Sequence, residues 1–548
     1  MEIQTIKKLE QEALKKSGTD FVRLGFALFF MIGVLTFSFL SNGGISNNMF
    51  LAVAALIGAY MAMNIGANDV ANNVGPAVGS KAMTLTTAII IAAIFEAAGA
   101  IIAGGEVVKT IKKGIIDINA FGGNADPFIW AMMAALLAAA LWLNFATMMK
   151  APVSTTHSIV GGVMGAGIAA AGFSIVDWGT MGKIAASWVI SPVLGGVIAA
   201  SFLYAIKKSI LFKEDKVEAA KRYVPIFVAI MAWAFVTYLT LKGLKKIWPQ
   251  IVELLNILPL VSIEMTKKPT LLTALVLGFI VAIIVYIFVK NRLSSSSKSI
   301  ENSRESVNTL FTIPLIFAAA LLSFAHGAND VANAIGPLAA INDAVVNGGI
   351  SSKAEIPLWV MGVGALGIAL GLALYGPKLI KTVGSEITEL DQIRAFSIAM
   401  AASITVIIAS QLGLPVSSTH IAIGGVFGVG FLREYLHLNE KDTTIEDDKL
   451  TIIDEKKNLE AYQSELKVLE AKENKNQTDY ERVVELYKAI SEEEKLIKST
   501  KKHIKKTKKV QYVKRDAIKK IITAWVVTVP AAAVLAGVLF FMIKGIMV

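Results

Sequence analysis

The sequence predicts an all-α, polytopic membrane protein, built as two inverted repeats with about 12–13 transmembrane segments plus a helical hairpin outside the bilayer. Composition is the first reason: the 548 residues are 55% hydrophobic and only 17% charged, against roughly 25% charged in soluble domains. Apolar runs are the second, because many approach the roughly 20 residues that carry a helix across hydrocarbon. The third is duplication. GANDVAN at 66–72 returns at 327–333, and APVSTTHSIVGGVMGAG at 151–167 returns as LPVSSTHIAIGGVFGVG at 414–430, with shifts of 261 and 263.

The N-terminal segment 1–20 is mixed in charge and lacks a signal-peptide pattern, so it reads as a short cytoplasmic helix. Spans follow near 20–41, 49–66, 84–104, 128–149, 154–172, 183–205, 222–241, 269–290, 309–327, 356–376, 394–412, 416–432 and 517–543. This gives a first transmembrane repeat at 21–205, a central linker with extra transmembrane helices at 206–308, and a second repeat at 309–432 whose final helix is 517–548. With all thirteen crossing, a cytoplasmic N-terminus puts the basic loops after 205 and 290 and the 433–516 segment inside, as the positive-inside rule requires. Seven crossings then separate the two GANDVAN copies, which makes the halves inverted. The stretches 154–172 and 416–432 are Gly-rich with polar starts, and both spanning and re-entrant geometries fit them; with both re-entrant, one crossing between the GANDVAN copies is removed and the copies become parallel. In 433–516, Ile452, Leu459 and Leu466, then Val483, Ile490 and Ile497, recur every seven residues around a polar ENKNQTD, the pattern of an antiparallel helical hairpin.

The net charge of +11 does not point to nucleic acid, since Lys and Arg lie in loops, termini and one late segment. Cysteine is absent, which excludes disulfides, thiolate metal sites and thiol redox chemistry.

Polar residues at membrane depth cost several kcal/mol unless something answers them, so the duplicated motifs mark a site. In PVSTTH, Pro152 presets a helix start, and Ser154, Thr155 and Thr156 are cap-forming types. Unpaired N–H groups and hydroxyls there form an anion cradle, and Ser417, Ser418 and Thr419 after Pro415 form a second. GANDVAN does the opposite work. Its glycine is expected to allow a helix break, and Asp69 with Asn68 and Asn72, or Asp330 with Asn329 and Asn333, offers the oxygens Na+ prefers. Cations between the aspartates would remove their repulsion of an anion, and two Na+ with one divalent phosphate would be neutral cargo.

His157 and His420 end the anion motifs, and His326 stands where the first repeat has Ile65. Each suits either proton coupling or a neutral imidazole tying a loop to a backbone carbonyl. Glu96, in IFEAAGA, suits either an ion pathway or a structural bond to Ser or Thr.

GANDVAN in both halves with PVSTTH and PVSSTH resembles the signature of the inorganic phosphate transporter family, the sodium- or proton-coupled phosphate permeases. The resemblance implies an inverted-repeat symporter in the cell membrane, often a homodimer, with alternating access to a midplane site. It places Asp69, Asp330, Ser154, Thr155, Thr156, Ser417, Ser418 and Thr419 around inorganic phosphate and sodium ions, with Asn68, Asn72, Asn329 and Asn333 as nearby ligands. No cofactor is implied beyond transported Na+ or H+, and the partners are phosphate, sodium and the lipid bilayer. Related permeases carry sulfate, and metal-phosphate cargo with protons also fits the motifs. An enzyme fits less well: hydrolysis needs a nucleophile and a base in unequal roles, whereas these motifs come as matched pairs.

Overall fold

Helices in this chain start where a short polar side chain meets an apolar run. The computed structural model describes residues 3–43, 45, 48–149, 153–245, 247–257, 266–296, 301–347, 356–386, 390–472, 476–508, 512, 513 and 515–547. Pro152 lies outside these residues. Among them regular structure is helical, apart from one isolated bridge between Ile116 and Val176.

In the first half, α1 (Ile3–Ser41) is one helix, so the N-terminal segment expected as a separate helix instead runs straight into the first span. After it come α2 (Asn48–Asn68), α3 (Val70–Gly79), α4 (Leu85–Ala103) and the short α5 (Gly105–Lys113). The half ends with α6 (Ala125–Met148), α7 (Thr155–Ala171) and α8 (Trp178–Ile206). The central part holds α9 (Lys216–Tyr238), α10 (Trp248–Leu255), α11 (Leu271–Ser296) and α12 (Arg304–Thr309). The second half contains α13 (Thr312–Val346), α14 (Leu358–Glu386), α15 (Gln392–Gln411), α16 (Ser418–Glu470), α17 (Gln477–Lys508) and α18 (Arg515–Met547). Thr84, Asn124, Asp177, Asp215 and Asp391 each accept a bond from an otherwise orphan first-turn N–H, fixing the starts of α4, α6, α8, α9 and α15.

Eleven helices among the described residues are long and apolar enough to cross a membrane, rather than thirteen. The two that drop out are α7 and the start of α16. The first turn of α7 is bonded to Asp69, which lies within the long Asn48–Gly79 span and away from either end, so α7 starts beside the interior of that helix.

The two halves pack reciprocally. A Cβ on Gly66 of α2 would lie 1.9 Å from the Ile368 carbonyl oxygen of α14, and one on Gly327 of α13 would lie 2.2 Å from the Glu96 carbonyl oxygen of α4. From the other side, Gly371 meets the Met63 carbonyl at 2.0 Å and Gly99 meets the Phe324 carbonyl at 2.0 Å. Backbones thus touch at two equivalent crossings, which only glycine permits. The motif glycines therefore serve close approach and not helix breaks. The second GANDVAN sits inside the unbroken α13, and in the first Asp69 keeps right-handed helical angles between α2 and α3.

Short α5 is pinned to the second half by a bond from Thr110 Oγ1 to the Gly413 carbonyl (2.7 Å) and by a buried ion pair, Lys112 Nζ to Asp343 Oδ2 at 2.8 Å. Lys112→Met is expected to lower stability by about 3–5 kcal/mol, because it strands the Asp343 charge, and Lys112→Met with Asp343→Leu should recover most of that. Thermal unfolding of the two purified variants checks both.

The chain divides into two compact units: Met1–Val429 with Arg515–Val548, and Gly430–Lys514. Helix α16 runs without interruption across the boundary expected at 432/433. Within the second unit, the seven-residue series supplies buried Leu466 and Ile497, while the most buried leucine, Leu486, occupies the other seam position of the heptad. Glu455 lies in that seam with neither carboxylate oxygen bonded, and burial together with the Glu493 charge raises its pKa.

Candidate functional site

The polar motifs of both halves meet in one buried cluster. Ser154 and Ser417 are its framework: their hydroxyls accept from the backbone N–H groups of His157 (3.2 Å) and His420 (3.3 Å), capping α7 and α16. Capping aims the next residues inward. Thr155 Oγ1 donates to Asp69 Oδ2 at 2.7 Å and reaches Asp330 Oδ2 at 3.5 Å. Thr419 Oγ1 donates to Asp69 Oδ1 at 3.2 Å, and Ser418 Oγ to Asp330 Oδ2 at 3.4 Å. Both aspartates are buried.

The asparagines show how the halves interlock. Asn72 Nδ2 donates to Thr419 Oγ1 (2.8 Å), and its counterpart Asn333 donates to Thr156 Oγ1 (3.1 Å), the equivalent of Thr419, and to Thr155 Oγ1 (3.1 Å). Thus each half's asparagine holds the other half's threonine. Farther out, Asn68 Nδ2 donates to Thr147 Oγ1 (2.8 Å), and Asn329 Nδ2 repeats the bond to Ser410 Oγ (2.9 Å). Asn68 and Asn329 therefore brace the cluster from its edge. Thr156 Oγ1 also donates to the Val416 carbonyl at 2.9 Å.

Two expectations need correction. Glu96 does not bond to Ser or Thr: its Oε1 accepts from Asn73 Nδ2 at 2.8 Å and its Oε2 lies 2.7 Å from His326 Nδ1. Nor do His157 and His420 tie loops to carbonyls. They form the middle of a row of four rings: Trp188 stacks on His157 with centroids 3.8 Å apart, His420 stacks on Trp525 at 3.6 Å, and the two imidazoles meet at 4.7 Å with their planes tilted by 54°. The rings join α7, α8, α16 and α18 at the roots of the two anion motifs, and Trp188 Nε1 also donates to the Pro415 carbonyl at 3.1 Å. Sequence reasoning missed Asn73, Thr147 and Ser410. Thr147 and Ser410 share the 263-residue shift of the adjoining motif, so a longer self-alignment would have found them.

Asp69, His326 and Asp330 each place one ligand atom within 4.8 Å of the others. Two carboxylates this close repel by roughly 3–4 kcal/mol at an effective dielectric of about 20, so a cation between them is strongly favoured. Against the two aspartates lie the first turns of α7 and α16 and the hydroxyls of Thr155, Ser418 and Thr419, groups suited to an oxyanion. The arrangement can therefore hold an anion and cations side by side, with each lowering the cost of the other.

Comparison with known proteins shows the family of the chain. The model of the phosphate transporter family matches residues 65–536. A Helicobacter pylori (strain J99) protein named as a candidate phosphate permease is 49% identical over 98% of both chains. One from Haemophilus influenzae bearing the same name is 38% identical over 71% of this chain and 89% of its own length. A solved structure, described as "The sodium-dependent phosphate transporter", superposes with a TM-score of 0.70 at 29% identity, covering 91% of this chain and 99% of the other. This multi-pass membrane protein, whose matched polar motifs close around one buried site, carries phosphate and is not an enzyme: it belongs to the phosphate transporter family.

Proposed function

We propose that the chain is a sodium-coupled phosphate symporter of the cell membrane, with its N-terminus and hairpin on the cytoplasmic side. The observation that carries this reading is the buried pair Asp69 and Asp330, close together and facing two capped helix N-termini. No Lys or Arg occurs in the motifs, so the phosphate is held by hydroxyls and helix dipoles, and positive charge arrives as sodium. Loss of sodium uncovers the carboxylates and expels the anion, which ties release of one to release of the other. The interlocked Asn72–Thr419 and Asn333–Thr156 bonds let the two halves sense the same occupancy. The structural relative is named for its sodium dependence, which supports the same choice of cation.

Uptake of labelled phosphate into proteoliposomes, with sodium and proton gradients imposed separately, tests it. Sodium-driven accumulation is expected. Uptake driven by acid alone and indifferent to sodium would replace sodium with protons, and competition by sulfate at equal concentration would change the cargo.

A further inference from the structure

The cluster departs from its twofold pattern at one place. The shift of 261 pairs Ile65 with His326 and Asn73 with Ala334, and the matched glycine crossings pair Glu96 with Ile368. One of the two equivalent crossings between the repeats thus has Ile65, Ala334 and Ile368, all buried, where the other has the polar chain His326, Asn73 and Glu96. A polar trio at this depth is costly unless it is used.

Its geometry is that of a metal-binding histidine with its support. His326 Nδ1 faces Glu96 Oε2 at 2.7 Å, and Asn73 holds the other oxygen of that carboxylate at 2.8 Å. A carboxylate on one ring nitrogen fixes the tautomer and ring angle and leaves the second nitrogen as ligand. That second nitrogen, His326 Nε2, lies 3.1 Å from Asp330 Oδ2, a contact that is an ion pair when the ring is protonated and a pair of ligand atoms for one cation when it is neutral, while Asp330 Oδ1 is unbonded. Both residues are fully buried, and the Asp69 carboxylate completes the group within 4.8 Å. Sodium is satisfied by oxygen alone, as other hard cations are. An imidazole added to two carboxylates instead makes a mixed nitrogen and oxygen set, the kind that selects first-row transition metals.

We infer that Asp69, His326 and Asp330 form a binding site for a transition-metal dication, with Glu96 and Asn73 orienting His326, at the position where sodium binds. The inference deepens the reading of this site as a cation site. A dication neutralises both aspartates at once and so excludes sodium while it stays.

The test uses the full-length protein in nanodiscs, in sodium-free buffer, with Mn2+ as the probe. Pulsed electron paramagnetic resonance should show one bound Mn2+ coupled to an imidazole 14N, and sodium should displace it. His326→Ile, which copies the other repeat at Ile65, should abolish the nitrogen coupling, and Glu96→Gln should weaken Mn2+ binding by about 10–100-fold. Bound Mn2+ without nitrogen coupling, coupling that survives in H326I, or no binding by the wild type would each overturn the inference. Sodium-driven phosphate uptake in chelator-treated medium is measured in parallel. Its presence keeps the symport reading when the metal site fails, and its absence defeats that reading while leaving the resonance result to judge the metal site alone.

Discussion

Asp69→Asn and Asp330→Asn are each expected to lower sodium-driven phosphate uptake by at least about 100-fold while the protein remains folded. Asparagine keeps the size of aspartate and still accepts from Thr155 or Ser418, but it removes one of the two charges beside the cation. At an effective dielectric of about 20 that attraction is worth roughly 3–4 kcal/mol, and each 1.4 kcal/mol is a factor of about ten. Stability should move the other way. In sodium-free buffer the wild type keeps two carboxylates together in a buried place, so each variant should melt at the same temperature or higher. Tracer uptake and thermal unfolding on the same preparations make the check. Unimpaired uptake in both variants would show that the aspartates only support the fold, and a melting point several degrees lower would show that uptake was lost through misfolding.

Gly66→Ala and Gly327→Ala should each destabilise the membrane unit by roughly 3 kcal/mol or more. The added methyl would meet backbone carbonyl oxygen at 1.9 and 2.2 Å, and a helix backbone cannot rotate aside as a side chain can. Helices α2 and α14, or α13 and α4, would have to separate, carrying Asp69 or Asp330 away from its partners. Gly362→Ala in α14 is the control, since nothing lies within 4 Å of its added methyl, and it should be neutral. Fluorescence-detected chromatography after a heating series would rank the variants. Equal stability of G66A, G327A and G362A would mean that these crossings are looser than the structure has them.

How much is legible in the chain alone depends on the range of the interaction. Apolar runs and caps are local, so most spans and the starts at Ser154 and Ser417 can be read directly. Heptad spacing likewise gives the seam of α16 and α17, although following a single register position leaves out Leu486. The glycines of GANDVAN mislead because the sequence shows a flexible residue beside polar ones. It does not show the neighbouring carbonyl that makes glycine necessary. His326 has no twin in the first repeat, which at the level of sequence weakens its claim to a role, whereas in the fold that asymmetry is what sets Asp330 apart from Asp69.

By itself the sequence determined the membrane class, the duplication and the identity of the polar residues, because composition, periodicity and repetition are properties of the chain in one dimension. Only the tertiary structure decided that Asn72 holds Thr419 while Asn333 holds Thr156, that Glu96 answers to His326, and that α7 begins beside Asp69. These contacts join residues as far as 347 positions apart. Their partners are chosen by which helices glycine lets touch, and that choice is made only when the two halves pack.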